Sequence, residues 1–168
     1  MRLSYSTMRL LYECPHNYVN KISGIAQPSR PEFEEGKEAH KILQAHLCGD
    51  AVREDLKHLN FHFPIVEKVD FDPHTKFEVP FESHTIFGFF DGLNLEKGQL
   101  LEIKTSSTLW SLGKFKELVQ RKIYGWAMPE LKEAILITSA RDPQQWQYQP
   151  PKAIRVPFTQ EDRDFARD

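Results

Sequence analysis

The sequence predicts an α/β protein whose N-terminal part is helical and whose centre is a sheet flanked by helices. Three patterns carry that reading: apolar residues at helical spacing through the first half, an alternation of period two beginning at Phe77, and a return to helical spacing from Leu112 to Met128 before further strand-like runs.

Taken in order, Ser6 is a candidate cap for a segment in which Met8, Leu11 and Tyr12 share a face, and Pro15 opens a second helix through Tyr18, Val19 and Ile22. Gly24 to Pro31 reads as a loop. The stretch from Pro31 has proline in its first turn, glutamates near the positive helix end and Gly49 as a stop, which makes a long helix. Ala51 to Leu59 predicts a shorter helix, while the pattern of FHFPIVEKVDFDPH supports neither helix nor strand. Phe77, Val79 and Phe81 then alternate with polar residues or proline. TIFGFFDGLNL and QLLEIKT follow as two runs joined by EKG, a hairpin signal. After the Leu112–Met128 helix, LKEAILITSA, WQYQP and AIRVPF read as strands, and Thr159 with Asp162 forms a capping-box pattern for a last helix.

The 168 residues, 40% hydrophobic and 27% charged, suit one globular domain, 1–168, able to bury a core without staples. Lys plus Arg number 22 against 24 Asp plus Glu, a net charge of -2, so a polyanion would need a local basic patch. No apolar run approaches the ~20 residues of a membrane span and no signal-peptide core follows the N-terminus, so no membrane contact and a cytoplasmic location are expected. In that compartment Cys14 and Cys48 are expected as free thiols.

The hairpin concentrates the chemistry. With Lys97 and Gly98 as a two-residue turn, Glu96 faces Gln99, Asp91 faces Lys104 and Leu93 faces Glu102. Period-two alternation then puts Asp91, Glu102 and Lys104 on one face and Ile103 on the other. Diagonal Cα atoms roughly 7–8 Å apart let two carboxylates close on one hard cation. Two readings stay open here: a solvated face on which Asp91 pairs with Lys104, or a buried acidic pair that holds a metal. Gly36 and His40 lie one turn apart on the Pro31 helix, where the missing side chain leaves room for another element beside the imidazole. His40 is either a ligand or one more packed or solvated histidine. Gln120 and Tyr124 also share a helix face, either as partners of a phosphate or water or as surface and core residues. Lys114, Lys116, Arg121 and Lys122, with Trp110 and Trp126 nearby, form a cationic stretch suited to nucleic acid, or a lysine-rich helix face over core tryptophans.

On these residues the chain resembles the PD-(D/E)XK nuclease superfamily, within it the RecB-like exonucleases related to CRISPR-associated and phage-type members. LSYSTMRLLYECPHNYV resembles the N-terminal helix signature, GKEAH the glycine-to-histidine motif, GFFDG the aspartate motif, EIKTS the E-x-K motif and QRKIY the Gln-to-Tyr motif, in the family's order. The resemblance implies a restriction-endonuclease-like core, a central mixed β-sheet flanked by helices. It implies Mg²⁺ or Mn²⁺ held by His40, Asp91, Glu102 and the Ile103 carbonyl, with Lys104 acting on the attacking water and Gln120 and Tyr124 steadying the site. The implied function is hydrolysis of DNA phosphodiester bonds, by an exonuclease on single strands or duplex ends. The chain departs from CRISPR-associated relatives in having only Cys14 of four cluster cysteines, so no iron–sulfur cluster is expected, and the short C-terminus suggests a truncated version of the fold. The alternative is a catalytically silent nuclease-fold subunit that binds DNA or assembles with repair, recombination or CRISPR proteins. A hydrolase of small phosphate esters lacks the support of a P-loop or GxGxxG.

Overall fold

In the computed structural model the described residues are 2–4, 6–7, 10, 14–25, 31–48, 70–73, 75–142 and 147–165. Strand β1 (Arg2–Ser4) opens the chain, followed by helices α1 (Pro15–Ile22) and α2 (Pro31–Cys48). Then come β2 (Lys76–Phe81), β3 (His84–Phe89), β4 (Gly92–Asn94) and β5 (Gln99–Ser106), followed by α3 (Leu112–Lys116) and α4 (Val119–Ala127). Strands β6 (Glu133–Asp142), β7 (Gln147–Tyr148) and β8 (Lys152–Pro157) precede α5 (Gln160–Asp164). The fold is α/β, with mixed sheets flanked by helices, as the sequence predicts.

The N-terminus differs in detail. Arg2–Ser4 is a strand parallel to β3, and the Thr7 N–H donates to the Ser4 Oγ at 3.2 Å. Ser4 therefore does the capping expected of Ser6, because a cap must lie ahead of the turn whose N–H groups it accepts. Met8, Leu11, Tyr12, Gly49, the Ala51–Leu59 segment, residues 61–69 and Trp146 lie outside the described residues.

Two sheets form, a small one in the order β1-β3-β2 and a larger one in the order β4-β5-β6-β7, with β8 also on β6. The run TIFGFFDGLNL does not continue as one strand. It leaves the small sheet after Phe89 and enters the large one at Gly92, with Phe90 and Asp91 as the passage.

The β4–β5 hairpin also differs from expectation. Asn94, not Glu96, faces Gln99, so residues 95–98 make a four-residue loop. The Asn94 side chain accepts from the Lys97 N–H at 3.0 Å, and Gly98 takes φ +66, the left-handed conformation that glycine adopts without strain. The Gly98 carbonyl accepts from Lys132 and Glu133, fixing the loop to the start of β6. A shift of two residues preserves side-chain parity, so it moves Asp91 level with Glu102 without turning either to the other face.

Parity also separates two cores. Leu100, Ala134, Leu136 and Val156 on one face of the large sheet meet Phe115, Ile123 and Tyr124, together with Phe77 and Ile86 of the small sheet. Leu101, Ile103, Ile135 and Ile137 on the other face meet Leu43 and Leu47 of α2. Each buried Leu, Ile, Val or Phe side chain among them contributes about 1.5–3 kcal/mol.

The expected single helix from Leu112 to Met128 is two. Ser111 caps α3, and Leu118 leaves the helical region at ψ 113, which lets both Phe115 and Leu118 face the core. The predicted capping box is present: Thr159 and Asp162 exchange side-chain-to-backbone bonds at the start of α5. Asp162 also receives a bidentate pair from Arg121, at 2.7 and 2.5 Å, joining α5 to α4 in the interior. Among the described residues no helix is long and apolar enough to cross a membrane.

Candidate active site

Strand β4 pairs with only the first three residues of β5, and β5 runs on to Ser106. Among the described residues its far half pairs only with β6, and it borders a cleft of about 820 Å³ lined from α2 and α4. Asp91 sits where β4 begins and lies against that half: its Oδ2 accepts the Ile103 N–H at 2.7 Å, and its Oδ1 lies 3.3 Å from the His40 Nε2. His40 and Gln44 are one turn apart on α2. The Gln44 amide donates to the Asp91 carbonyl at 2.5 Å, so the same helix fixes both ends of the aspartate.

Glu102 and Lys104 alternate with Ile103 along β5, and Lys104 reaches Gln120 of α4. Glu102 is only 3% exposed and contacts the Lys104 ammonium, which donates to the Gln120 Oε1 at 3.2 Å. The Gln120 amide donates to the Tyr124 hydroxyl, which donates to the Phe89 carbonyl at 3.3 Å. This chain of polar contacts begins at the E-x-K strand, crosses α4 and returns to within two residues of Asp91.

The two acids titrate in opposite directions. Burial works against the charged form of Asp91, but hydrogen bonds from His40 and Ile103 and the positive charge of Lys104 outweigh it and hold the carboxyl below the usual range. Burial pushes Glu102 up to about 7 in spite of Lys104, and the Asp91 carboxylate adds to the rise. Glu102 is therefore a carboxyl short of positive charge.

That shortage, with an imidazole and a carboxylate already side by side, suits a divalent cation. Neighbouring ligands of an octahedral ion at about 2.1 Å lie roughly 3.0 Å apart, close to the His40–Asp91 spacing. Glu102, by contrast, faces Lys104, and among the described residues no three His, Cys, Asp or Glu side chains close around one point. The donor types, one imidazole and two carboxylates, are ones such an ion accepts, and His40 and Asp91 are already adjacent.

The sequence-predicted residues divide clearly. His40, Asp91, Glu102, Ile103, Lys104 and Gln120 line one cleft, with Tyr124 behind Gln120. Lys114 and Lys116 are exposed, and the Lys114 ammonium lies 4.3 Å from the Trp110 ring centroid, with Lys104 on the same ring at 5.9 Å. The Lys122 ammonium pairs with Glu161 at 3.2 Å. Arg121 is a correction: it is 4% exposed and its guanidinium is taken up by Asp162, so it presents no surface charge to nucleic acid. Trp126 packs on Phe81 rather than beside the cleft.

The Gly36 expectation also changes. Thr105 Oγ1 donates to the Gly36 carbonyl at 3.0 Å, yet a Cβ there would meet that oxygen only at an ordinary 3.9 Å, so the contact is to main chain and needs no missing side chain. Cys14 and Cys48 form no disulfide, and Cys14 is half-buried at the start of α1.

Gln44, Arg141 and Tyr148 also line the cleft and were not singled out in the sequence. Gln44 had a signal, since it continues the Gly36–His40 stripe. Arg141 and Tyr148 had none, because they meet through the β6–β7 pairing.

No protein-family model and no curated protein matches the sequence. Among solved structures, the chain is similar to SSO0001, at 16% identity over 99% of this chain and 72% of that one, with a TM-score of 0.58. It is also similar to a proposed exonuclease from Eubacterium rectale, at 9% identity over 98% of this chain and 75% of that one, with a TM-score of 0.65. At these identities the likeness establishes the fold, a mixed α/β core shared with that proposed exonuclease.

Proposed function

We propose that this chain is a divalent-metal-dependent nuclease of the PD-(D/E)XK type that hydrolyses DNA phosphodiester bonds, acting as an exonuclease on single strands or duplex ends. The observation that carries the reading is the convergence of His40 from α2, Asp91 from the sheet passage, and Glu102 and Lys104 from β5 on one cleft. The shared fold with a proposed exonuclease supports it.

His40, Asp91, Glu102 and the Ile103 carbonyl would hold Mg²⁺ or Mn²⁺, the imidazole tilting preference toward Mn²⁺. When bound, such an ion polarises the phosphate and makes water a better nucleophile at neutral pH. Water attacks phosphorus and gives up a proton to solvent as one P–O ester bond breaks, and the departing oxygen takes up a proton from solvent, so that one water is consumed per bond cleaved. Lys104 orients the attacking water and offsets negative charge as the phosphorane forms. Gln120 holds the ammonium through its Oε1, and Tyr124 fixes which way that amide faces by accepting from its Nε2. Lys114 over Trp110 offers the strand a phosphate contact beside a stacking surface.

The test is incubation with labelled single- and double-stranded DNA, and RNA alongside, in Mn²⁺, Mg²⁺ or chelator. Metal-dependent cleavage of DNA is expected, falling on the order of 10²-fold or more in Glu102→Ala and Lys104→Ala. Cleavage unchanged in both variants overturns the mechanism; binding without cleavage in either metal identifies a silent subunit instead.

A further inference from the structure

Helix α2 meets the large sheet through an apolar face on which Ala39, Leu43 and Leu47 are fully buried. Gln44 lies among them and is 4% exposed. A buried amide is kept where it has a polar partner, and the partner of the Gln44 Nε2 is the Asp91 carbonyl, 2.5 Å away.

That carbonyl lies where the backbone is least held. Phe89 ends β3 and Gly92 begins β4, and among the described residues no strand partner is paired with Asp91. On either side the chain is anchored: the Phe90 N–H donates to the Thr75 carbonyl, and Leu93 exchanges backbone bonds with Asp72. Gly92 adds no stiffness between these anchors. A Cβ there would lie 3.0 Å from the Phe71 Cβ and 3.1 Å from the Leu101 Cδ2, so close packing favours glycine, whose backbone is freer than that of any other residue. A turn of the Asp91–Gly92 peptide must then be taken up at the Asp91 Cα, from which the carboxylate projects toward His40 and the Ile103 N–H. Gln44 opposes that turn, and it stands one turn from His40 on the same helix.

We propose that Gln44 is a positioning residue for Asp91: by holding the Asp91 carbonyl it fixes the peptide that aims the carboxylate between His40 and the Ile103 N–H. Its consequence for a divalent cation rests on the nuclease reading; the restraint on Asp91 does not.

The experiment takes two readouts on the full chain. In chelator, hydrogen exchange followed by NMR monitors the Ile103 amide, which donates to the Asp91 Oδ2. With Mn²⁺ alone and no DNA, electron paramagnetic resonance of the free ion gives the affinity. Gln44→Met keeps the length of the side chain and removes the donor. It is expected to speed exchange at Ile103 roughly tenfold, with the other β5 amides unchanged, and to weaken Mn²⁺ binding roughly tenfold. Thr105→Val removes a separate tie between β5 and α2, the bond to the Gly36 carbonyl, and is expected to leave both readouts at their native values. Native exchange at Ile103 in Gln44→Met overturns the proposal. So does an equal change in Thr105→Val, because the effect then belongs to the seating of the helix. Should circular dichroism show Gln44→Met unfolded, Gln44→Asn, whose amide is one methylene shorter, is read in the same way. Faster exchange in the variant of a chain that takes up no Mn²⁺ supports the positioning and overturns the metal-dependent reading. Mn²⁺ uptake with both readouts unchanged in the variant overturns the positioning and leaves that reading standing.

Discussion

A glutamate pushed up to about 7 beside an aspartate held below its usual range makes the metal-free protein's stability depend on pH in two separate windows. For Glu102 the folded state favours the proton, so its contribution is fully present below the ordinary value of 4.5 and is lost as pH rises through about 7. For Asp91 the sign reverses: its contribution is present above 3.8 and is lost only as pH falls through its lower folded value. Urea midpoints of the metal-free chain at pH 5 and pH 8 should therefore show a decline that Glu102→Gln removes; an equal decline in the variant would sink the assignment. Both acids and Lys104 were legible in the sequence because alternation fixes the face of each strand residue. Their exact opposition was not, since the turn was read two residues too short. Gln120 and Tyr124 were legible as a helical i, i+4 pair. Arg121 was misread as surface because its partner, Asp162, is 41 residues away and no local pattern links them.

At the level of elements, the Arg121–Asp162 bridge ties α4 to α5 while the same aspartate completes the α5 capping box. Close approach makes the joint possible: a Cβ on Gly125 would lie 2.7 Å from the Phe158 ring and 3.1 Å from the Asp162 Cβ. Asp162→Ala leaves a buried guanidinium without its counter-charge and is expected to destabilise the protein by about 3–5 kcal/mol, measured by denaturant unfolding at neutral pH. Burial opposes the charge on Asp162, but the Arg121 and Thr159 hydrogen bonds outweigh it and lower its titration, so the contribution persists above 3.8 and fades in stronger acid. The capping box was readable because it is local. The break between α3 and α4 was not, because apolar spacing continues across Glu117 and Leu118 and only packing of Phe115 and Leu118 on the core sets the bend.

For the molecule as a whole, a net charge of -2 means that the proposed nucleic-acid binding rests on local features, foremost the cleft and the Lys114–Trp110 pair. Single-stranded binding should weaken with salt, and Lys114→Ala should reduce the slope of log affinity against log salt by about 0.7, the share of one phosphate contact. A titration series in which the slope does not change would remove Lys114 from the interface. The sheet-and-helix class followed from periodicity, but the division into two sheets did not, because nothing in TIFGFFDGLNL marks the transfer at Phe90 and Asp91. The same transfer has a wider meaning. Sheets normally guard a bare margin against recruiting a strand from a second molecule. Here β4 stops early and the Asp91 carboxylate takes the Ile103 amide that a neighbouring backbone would otherwise claim. One oxygen thus occupies a main-chain donor through which an added strand would dock at this margin.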